Sequence, residues 1–399
     1  MTASPAWVLD FDVNDPDMAD DPYSVYERLR EIGPVVYSRR MGYVVTSFAC
    51  ADEVLRDWET YCSTEGKGPN PAAVQRRLAG TALKHTYAQF PVVPIEVDPP
   101  EHSGYRAVLG PQFSAPAVHA KWSGMIAETA QDLLAGLAGR PVADMATEFA
   151  IPMAGLVLAA IVGLPAGDRP KFQAWASDVD GHLPELDDYL RAMIMTAEHG
   201  VFAELGAAQI DGRRLSDAEK IGYGLILIHA GWESTGSAIA SAIHYLATHH
   251  GDRDALAADP SLIPAAAEEL LRINTPAQAL WRTTTRDTVL GGVRIPRGEK
   301  VLVLWAAANR DEEAFPHAAT ADLSRTPNRH MVFGRGIHSC LGQHLARLEL
   351  RTAIDRVLAA YPAIGLPEGA QIVVHQGAVR AIRKLPVLLG KYQGGTDGR

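Results

Sequence analysis

The chain has 399 residues, 47% hydrophobic and 21% charged, with a formal net charge of −10. That composition suits a folded protein with a large core and argues against nonspecific binding of nucleic acid. The cysteines, Cys50, Cys62 and Cys340, are few and far apart, which predicts a reducing, cytoplasmic setting without a disulfide framework and excludes a four-thiolate iron–sulfur cluster.

The N-terminal MTASPAWVLDFDVNDPDMADDP is acidic and lacks the apolar run of a signal or transit peptide; residues 1–20 read as an extension. Val25, Tyr26, Leu29 and Ile32 share one face of a short helix that stops at Gly33-Pro34. VVYS (35–38) and YVVT (43–46) predict a hairpin. Residues 62–97 form a long irregular connection rich in Gly, Pro and polar groups, a kind of loop that is often functional. From Glu101 onward helical patterns dominate, over about 101–108, 117–137, 144–163, 168–180, 187–208, 216–250 and 262–273. The most apolar stretch, 150–165, is interrupted by Pro152 and is shorter than the roughly 20 residues of a membrane span, so no membrane anchor is expected. Short strands are predicted between 283 and 305, then a long amphipathic helix over 341–361, with 390–399 a frayed tail. The expectation is a mainly α fold with a minor β component in a single domain over 1–399.

Just before that last helix stands FGRGIHSCLG (333–342). At a helix N-terminus the free N–H groups favour negative charge on the Cys340 sulfur. Gly334, Gly336 and Gly342 permit unusual backbone angles and close approach. A zinc site would draw on His330, His338, Cys340 and His344, but their spacing matches no standard zinc pattern. A cysteine nucleophile would take His338 as its base. A buried structural thiol, the ordinary role for Cys50 and Cys62, leaves the glycines unexplained. Axial ligation of haem iron needs one cysteine in a shielding loop. The stretch fills every fixed position of F-G-x-G-x-H-x-C-x-G and so resembles the haem-binding signature of cytochromes P450, with Phe333, Gly334, His338, Cys340 and Gly342 carrying the match.

Three further stretches extend the resemblance. Glu269-Leu-Leu-Arg272 is similar to the family's E-x-x-R brace, with Arg325 as its third member. Ala230-Gly231-Trp232-Glu233-Ser234 is similar to A-G-x-[D/E]-T on a long central helix, with serine where threonine is usual and Thr235 adjacent. Leu227, Ala230, Gly231, Ser234 and Ala238 share a face at helical spacing, and Trp232 points off it, toward packing. Asp98-Pro-Pro-Glu-His102 with Arg106 is similar to D-P-P-E-H-x-x-x-R. The resemblance runs from about residue 21 to 387.

The resemblance implies the cytochrome P450 fold, with haem b (iron protoporphyrin IX) held between the central helix and the cysteine loop. It implies Cys340 as the metal ligand; His102, Arg106, Arg282 and His338 as donors to the haem carboxylates; Ala230 and Gly231 as clearance beside the iron; and Glu233 and Ser234, with Thr235 as a candidate helper, for proton delivery. It also implies a monooxygenase acting with O2 on a small, largely apolar molecule of the kind met in secondary metabolism. The chemistry would be hydroxylation, epoxidation, dealkylation or oxidative coupling. A peroxide-driven or non-oxygenase thiolate-haem protein is the alternative. With no flavin or nicotinamide motif in the chain, electrons are expected from a ferredoxin or flavodoxin with its reductase, docking near Arg329, Arg335, Arg347 and Arg351. The expected substrate contacts are Tyr87, Phe90, Val92 and Val93 of a 62–97 lid, Leu227, Ala230, Ala279, Leu280, Trp281 and Ala378. The protein is expected to be a cytoplasmic monomer.

Overall fold

The computed structural model describes residues 8, 10–63, 92–168, 170–171, 179–391 and 393. Tyr87, Phe90 and most of the 62–97 connection lie outside them, as does the middle of the helix expected over 168–180.

The N-terminal part pairs one helix with a sheet. Helix α1 (Pro22–Ile32) starts at Asp21, whose carboxylate accepts the amides of Tyr23 and Ser24. Strands β1 (Val35–Ser38) and β2 (Gly42–Val45) form the expected hairpin, with Ser38 opposite Gly42. Helix α2 (Phe48–Arg56) and strand β3 (Tyr61–Cys62) follow.

Helices then dominate: α3 (Glu101–Leu109), α4 (Ala115–Ala135), α5 (Ile151–Val162), α6 (Val179–Thr196), α7 (Gly200–Ala207), α8 (Asp217–Thr248), α9 (His250–Ala258) and α10 (Ile263–Asn274). A π-helical turn at Ala146–Ala150 leads into α5, and β4 (Val142–Asp144) precedes it. The single helix expected over 187–208 is two. The chain breaks at Gly200, where φ is +71°, and a side chain there would fall 2.5 Å from the Gly163 nitrogen at the end of α5. Both glycines are needed for the two helix ends to touch. Strands β5 (Gln209–Ile210) and β6 (Arg213–Arg214) form a small hairpin before α8.

Helix α8 begins with a capping box, Ser216 and Glu219 each bonding the other's backbone amide. It packs against α5 and against α12 (Gln343–Ala360), and α4, α5, α8 and α12 together carry about half of the main apolar core. Ahead of α12, β7 (Leu280–Thr284) and β10 (Lys300–Val303) complete a sheet in the order β1-β2-β10-β7-β3, with β8 (Thr288–Leu290) and β9 (Val293–Ile295) forming a separate hairpin between them and α11 (Trp305–Ala308) following. The chain finishes with β11 (Val373–His375), β12 (Ala381–Lys384) and β13 (Pro386–Leu388), the last pairing back to β4.

The ELLR stretch is no solvated helix pair. Glu269 and Arg272 are both 0% exposed. Arg272 donates to the Glu269 carboxylate at 2.7 and 2.8 Å and to the carbonyls of Asn309, Ala318 and Thr320. Glu269 also accepts from Arg325, Asn328 and the Asp322 amide. Burial by itself would raise the Glu269 pKa, but these donors outweigh it and hold the carboxylate below its usual range. Removing one partner of such a pair leaves a buried charge. Arg272→Met is therefore expected to cost about 3–5 kcal/mol, read from urea unfolding at neutral pH; a cost under about 1 kcal/mol would show that the pair is not holding the fold.

Candidate active site

The cysteine loop is set by its own backbone. The Cys340 amide donates to the Phe333 carbonyl at 2.7 Å, and Gly334 to Met331 at 2.9 Å. Gly336, at φ +67°, turns where a side chain would lie 2.4 Å from the Leu55 carbonyl, so it admits the end of α2 and not a ligand. A side chain at Gly342 would meet nothing within 4 Å, so here the loop leaves open space.

Cys340 stands before α12, not in its first turn, because the helix begins at Gln343. The residue is exposed, yet burial raises the thiol pKa. Both hold only if the accessible space lies inside the fold. The Gly342 amide, Arg106 and Arg347 push the other way without overcoming burial. The helix N-terminus alone thus does not make a thiolate.

The far wall of that space is legible on α8. Ala230 is exposed and Leu227, Gly231 and Ser234 are half-buried, in the middle of a helix whose Ile228, Trp232 and Thr235 are buried. Four of the five expected face positions are accessible, while Ala238 is buried in the main core. Thr235 lies off that face, as does Trp232, which donates to the Ile151 carbonyl at 3.3 Å and packs on Gly155. The Ser234 hydroxyl donates to the Ala230 carbonyl one turn back at 2.7 Å. The Glu233 carboxylate pairs with Arg383 of β12, a partner the sequence reading missed.

Around Cys340 the expected donors converge. Arg106 donates to the Ser339 carbonyl and acts electrostatically on the cysteine. The His102 and His338 rings meet edge to face at 4.5 Å. Arg282 is buried on β7 and within electrostatic reach of His338. His102 is buried, and its Nε2 has no hydrogen-bond partner among the described residues. Burial, then His338 and Arg106, push its pKa down to about 4, so the ring is neutral at pH 7. His338 departs from expectation: its Nε2 lies 3.2 Å from the Asp98 carboxylate and 3.0 Å from the Ser63 hydroxyl. Asp98 stands in the quoted DPPEH stretch, but the motif gave it no role. Two arginines and a buried imidazole nitrogen without a hydrogen-bond partner among the described residues, gathered at the cysteine loop, make a donor set suited to an anionic group. Those residues therefore fit haem carboxylates, although His338 is engaged with Asp98.

Other expectations change. Val92 and Val93 are buried in the main core, and Ala279 in the core beneath the sheet, so none of the three faces accessible space. Leu280, Trp281 and Ala378 are half-buried. Of the docking arginines, Arg347 and Arg351 both bind Glu268, which also meets His330, and Arg335 pairs with Asp52. A carboxylate one residue before the brace was enough to convert surface charge into internal ties; Arg329 is exposed. Since His330 is held by Glu268 and His338 by Asp98, the histidines of the zinc reading do not meet at Cys340, and among the described residues no three His, Cys, Asp or Glu converge on a metal site. His338 faces Asp98 and Ser63, and no bond from it to Cys340 supports a nucleophile–base pair. No helix among the described residues is long and apolar enough to cross a membrane.

Comparison with known proteins gives the same picture. The family model "Cytochrome P450" matches residues 257–371, the part that holds the brace and the cysteine loop. The vitamin D(3) 25-hydroxylase of Pseudonocardia autotrophica is 36% identical over 76% of this chain and 80% of its own. The cytochrome P450 monooxygenase PikC of Streptomyces venezuelae is 30% identical over 97% of this chain and 95% of its own. Among solved structures, cytochrome P450 CYP109Q5 from Chondromyces apiculatus superposes with a TM-score of 0.85 at 28% identity, covering 97% of this chain and all of that one. The chain therefore belongs to the cytochrome P450 family, enzymes that bind haem b through a cysteine thiolate and act as monooxygenases with O2, a redox partner and a small-molecule substrate.

Proposed function

We propose that Cys340 is the thiolate ligand and that the enzyme passes one oxygen atom of O2 to a small, largely apolar molecule. The carrying observation is the convergence of His102, Arg106 and Arg282 on the loop of an accessible cysteine. Bound haem would supply oxygen activation, with the thiolate favouring O–O cleavage. The residues do the rest. Arg106, Arg282 and His102 hold the anionic edge. Gly342 donates its amide to the sulfur. Gly231 and Ala230 leave room on the opposite wall. Ser234, its own proton committed to Ala230, presents Oγ to the cleft as an acceptor that orients water. Glu233 carries protons from solvent once it leaves Arg383.

The substrate reading rests on the accessible apolar positions Leu227 and Ala230 of α8, with half-buried Leu280, Trp281 and Ala378 as further candidates, and on a relative named for vitamin D(3). Electrons come from a separate ferredoxin or flavodoxin, and the chain acts as one catalytic domain and as a monomer. Hydroxylation is the reaction the relative's name supports.

Reduction under CO is expected to give the strongly red-shifted Soret band of thiolate ligation, lost in Cys340→His; a colourless protein, or an unshifted band in the native chain, rejects the proposal. Turnover with peroxide and none with any redox partner would favour the peroxide-driven alternative.

Ser234→Ala is expected to uncouple turnover, releasing peroxide severalfold faster per electron consumed, with Ser234→Thr restoring coupling. Equal coupling in all three proteins would remove Ser234 from proton delivery.

For the haem-free chain the His102 shift sets a pH dependence. Its folded pKa of about 4 lies below the unfolded value near 6.5, so its stabilising effect is complete above pH 6.5 and is lost as pH falls toward 4. The loss is at most about 3 kcal/mol. Urea unfolding from pH 7 to 4 should show that slope, flattened in His102→Gln; parallel curves would show that the imidazole does not titrate in this way.

A further inference from the structure

Asn309 lies immediately after α11, is 0% exposed, and every polar atom it carries is bonded. Its backbone amide donates to the Trp305 carbonyl at 2.7 Å. Its carbonyl accepts from Arg272 at 2.8 Å. Its side-chain Nδ2 donates to Thr275 Oγ1 at 3.0 Å, and its Oδ1 accepts the Met331 amide at 2.8 Å. These last two partners are unusual. Thr275 holds φ at +29°, a strained value for a β-branched residue, which persists only where surroundings fix it. Its hydroxyl donates onward to the Arg272 carbonyl at 2.7 Å. Met331 opens the cysteine loop: its carbonyl accepts Gly334, and two residues later the Phe333 carbonyl accepts the Cys340 amide.

A continuous path of hydrogen bonds therefore runs from the Glu269–Arg272 pair through the Asn309 side-chain amide to Met331, beside the bonds that Asn328 makes to Glu269 and His330 to Glu268. The backbone between Arg310 and His330 makes the same journey only by a long irregular route. A buried amide with donor and acceptor both used fixes two segments at one separation, because neither bond can stretch without leaving a buried polar group unpaired.

We infer that Asn309 is a positioning residue that sets the place of the Cys340 loop and so maintains the sulfur as the axial ligand. This rests on Cys340 being that ligand, and the experiment separates the two ideas. The haem-loaded full chain would be compared with Asn309→Leu, Asn309→Asp and Thr275→Val. Asn309→Leu removes both side-chain bonds. Asn309→Asp keeps an acceptor for Met331. Thr275→Val removes the Nδ2 partner together with that hydroxyl's own bond to Arg272, leaves the Met331 bond in place, and controls for general loosening.

Two readouts are taken. One is amide hydrogen exchange over 329–336. The other is the rate at which the reduced CO complex passes from the red-shifted band to the unshifted band of a protonated or detached thiol. Asn309→Leu should exchange the Met331 amide and convert the band at least tenfold faster than the native chain. Asn309→Asp should stay within about threefold on both measures, and so should Thr275→Val. Equal rates in Asn309→Leu and Thr275→Val, or an unchanged Met331 amide in Asn309→Leu, overturn the inference. If Asn309→Leu does not retain haem, Asn309→Asp and Thr275→Val decide it: an aspartate variant that loosens the loop tenfold overturns it. A native protein without the red-shifted band would sink the ligand reading alone, and the exchange data would still decide the role of Asn309.

Discussion

A carboxylate and a guanidinium sealed from water at the end of α10 constrain the architecture more than any other contact. Glu269 and Arg272 cannot be left unpaired at 0% exposure, and one partner each does not exhaust their hydrogen-bonding capacity. The remaining capacity is filled by the irregular chain between α11 and the cysteine loop: the carbonyls of Asn309, Ala318 and Thr320, the Asp322 amide, Arg325 and Asn328. That stretch has almost no helix or strand with which to satisfy its own backbone, so the charged pair does it instead. Phe315 adds a ring beneath both arginines, 5.1 Å from Arg272 and 6.0 Å from Arg325. The pair is less a stabilising contact than a template on which a loop is ordered.

Helix α8 solves a different problem. It must be rigid and buried, yet present an open face in its middle. Bulk goes to one side, where Trp232 fills the space left by Gly155 and Gly236 closes on the start of α5. The other side keeps small residues, Ala230, Gly231 and Ser234. Rigidity comes from the packed side, so the open side can stay open without collapse.

Much of this was legible. Fixed spacings revealed the cysteine loop, the brace and the AGWES face, because each depends on residues close in sequence. The hairpin at 35–45 was equally local. What the sequence could not show were pairings between distant segments. Nothing near Glu233 announces Arg383, and nothing near Arg347 or Arg351 announces Glu268. Two of the four arginines expected at a docking surface, Arg347 and Arg351, are tied to Glu268, and Arg335 is tied to Asp52. The single helix expected over 187–208 failed for a related reason: only the approach of Gly163 explains the break at Gly200. Val92, Val93 and Ala279 looked like pocket residues because they are apolar, but apolarity does not say which core a side chain enters.

The charge pattern of the cleft makes a final argument for its occupant. At one side stand Arg106, Arg282 and His102, whose Nε2 has no hydrogen-bond partner among the described residues, while Asp98 is engaged by His338 and Ser63. At the other, burial raises the Cys340 thiol against the pull of Arg106, Arg347 and the Gly342 amide. The first region is rich in hydrogen-bond donors, and at the second the cations among the described residues do not overcome burial of the thiol. Separate ions would have to satisfy these needs independently, and a simple metal ion would find no second ligand at the cysteine. One flat molecule carrying carboxylates on its edge and a metal at its centre meets both at once, with the open space at Gly342 and the small face of α8 as its clearance. In the proposed reading the protein binds haem as a matched pair of opposite charges, and the selectivity comes from their fixed separation.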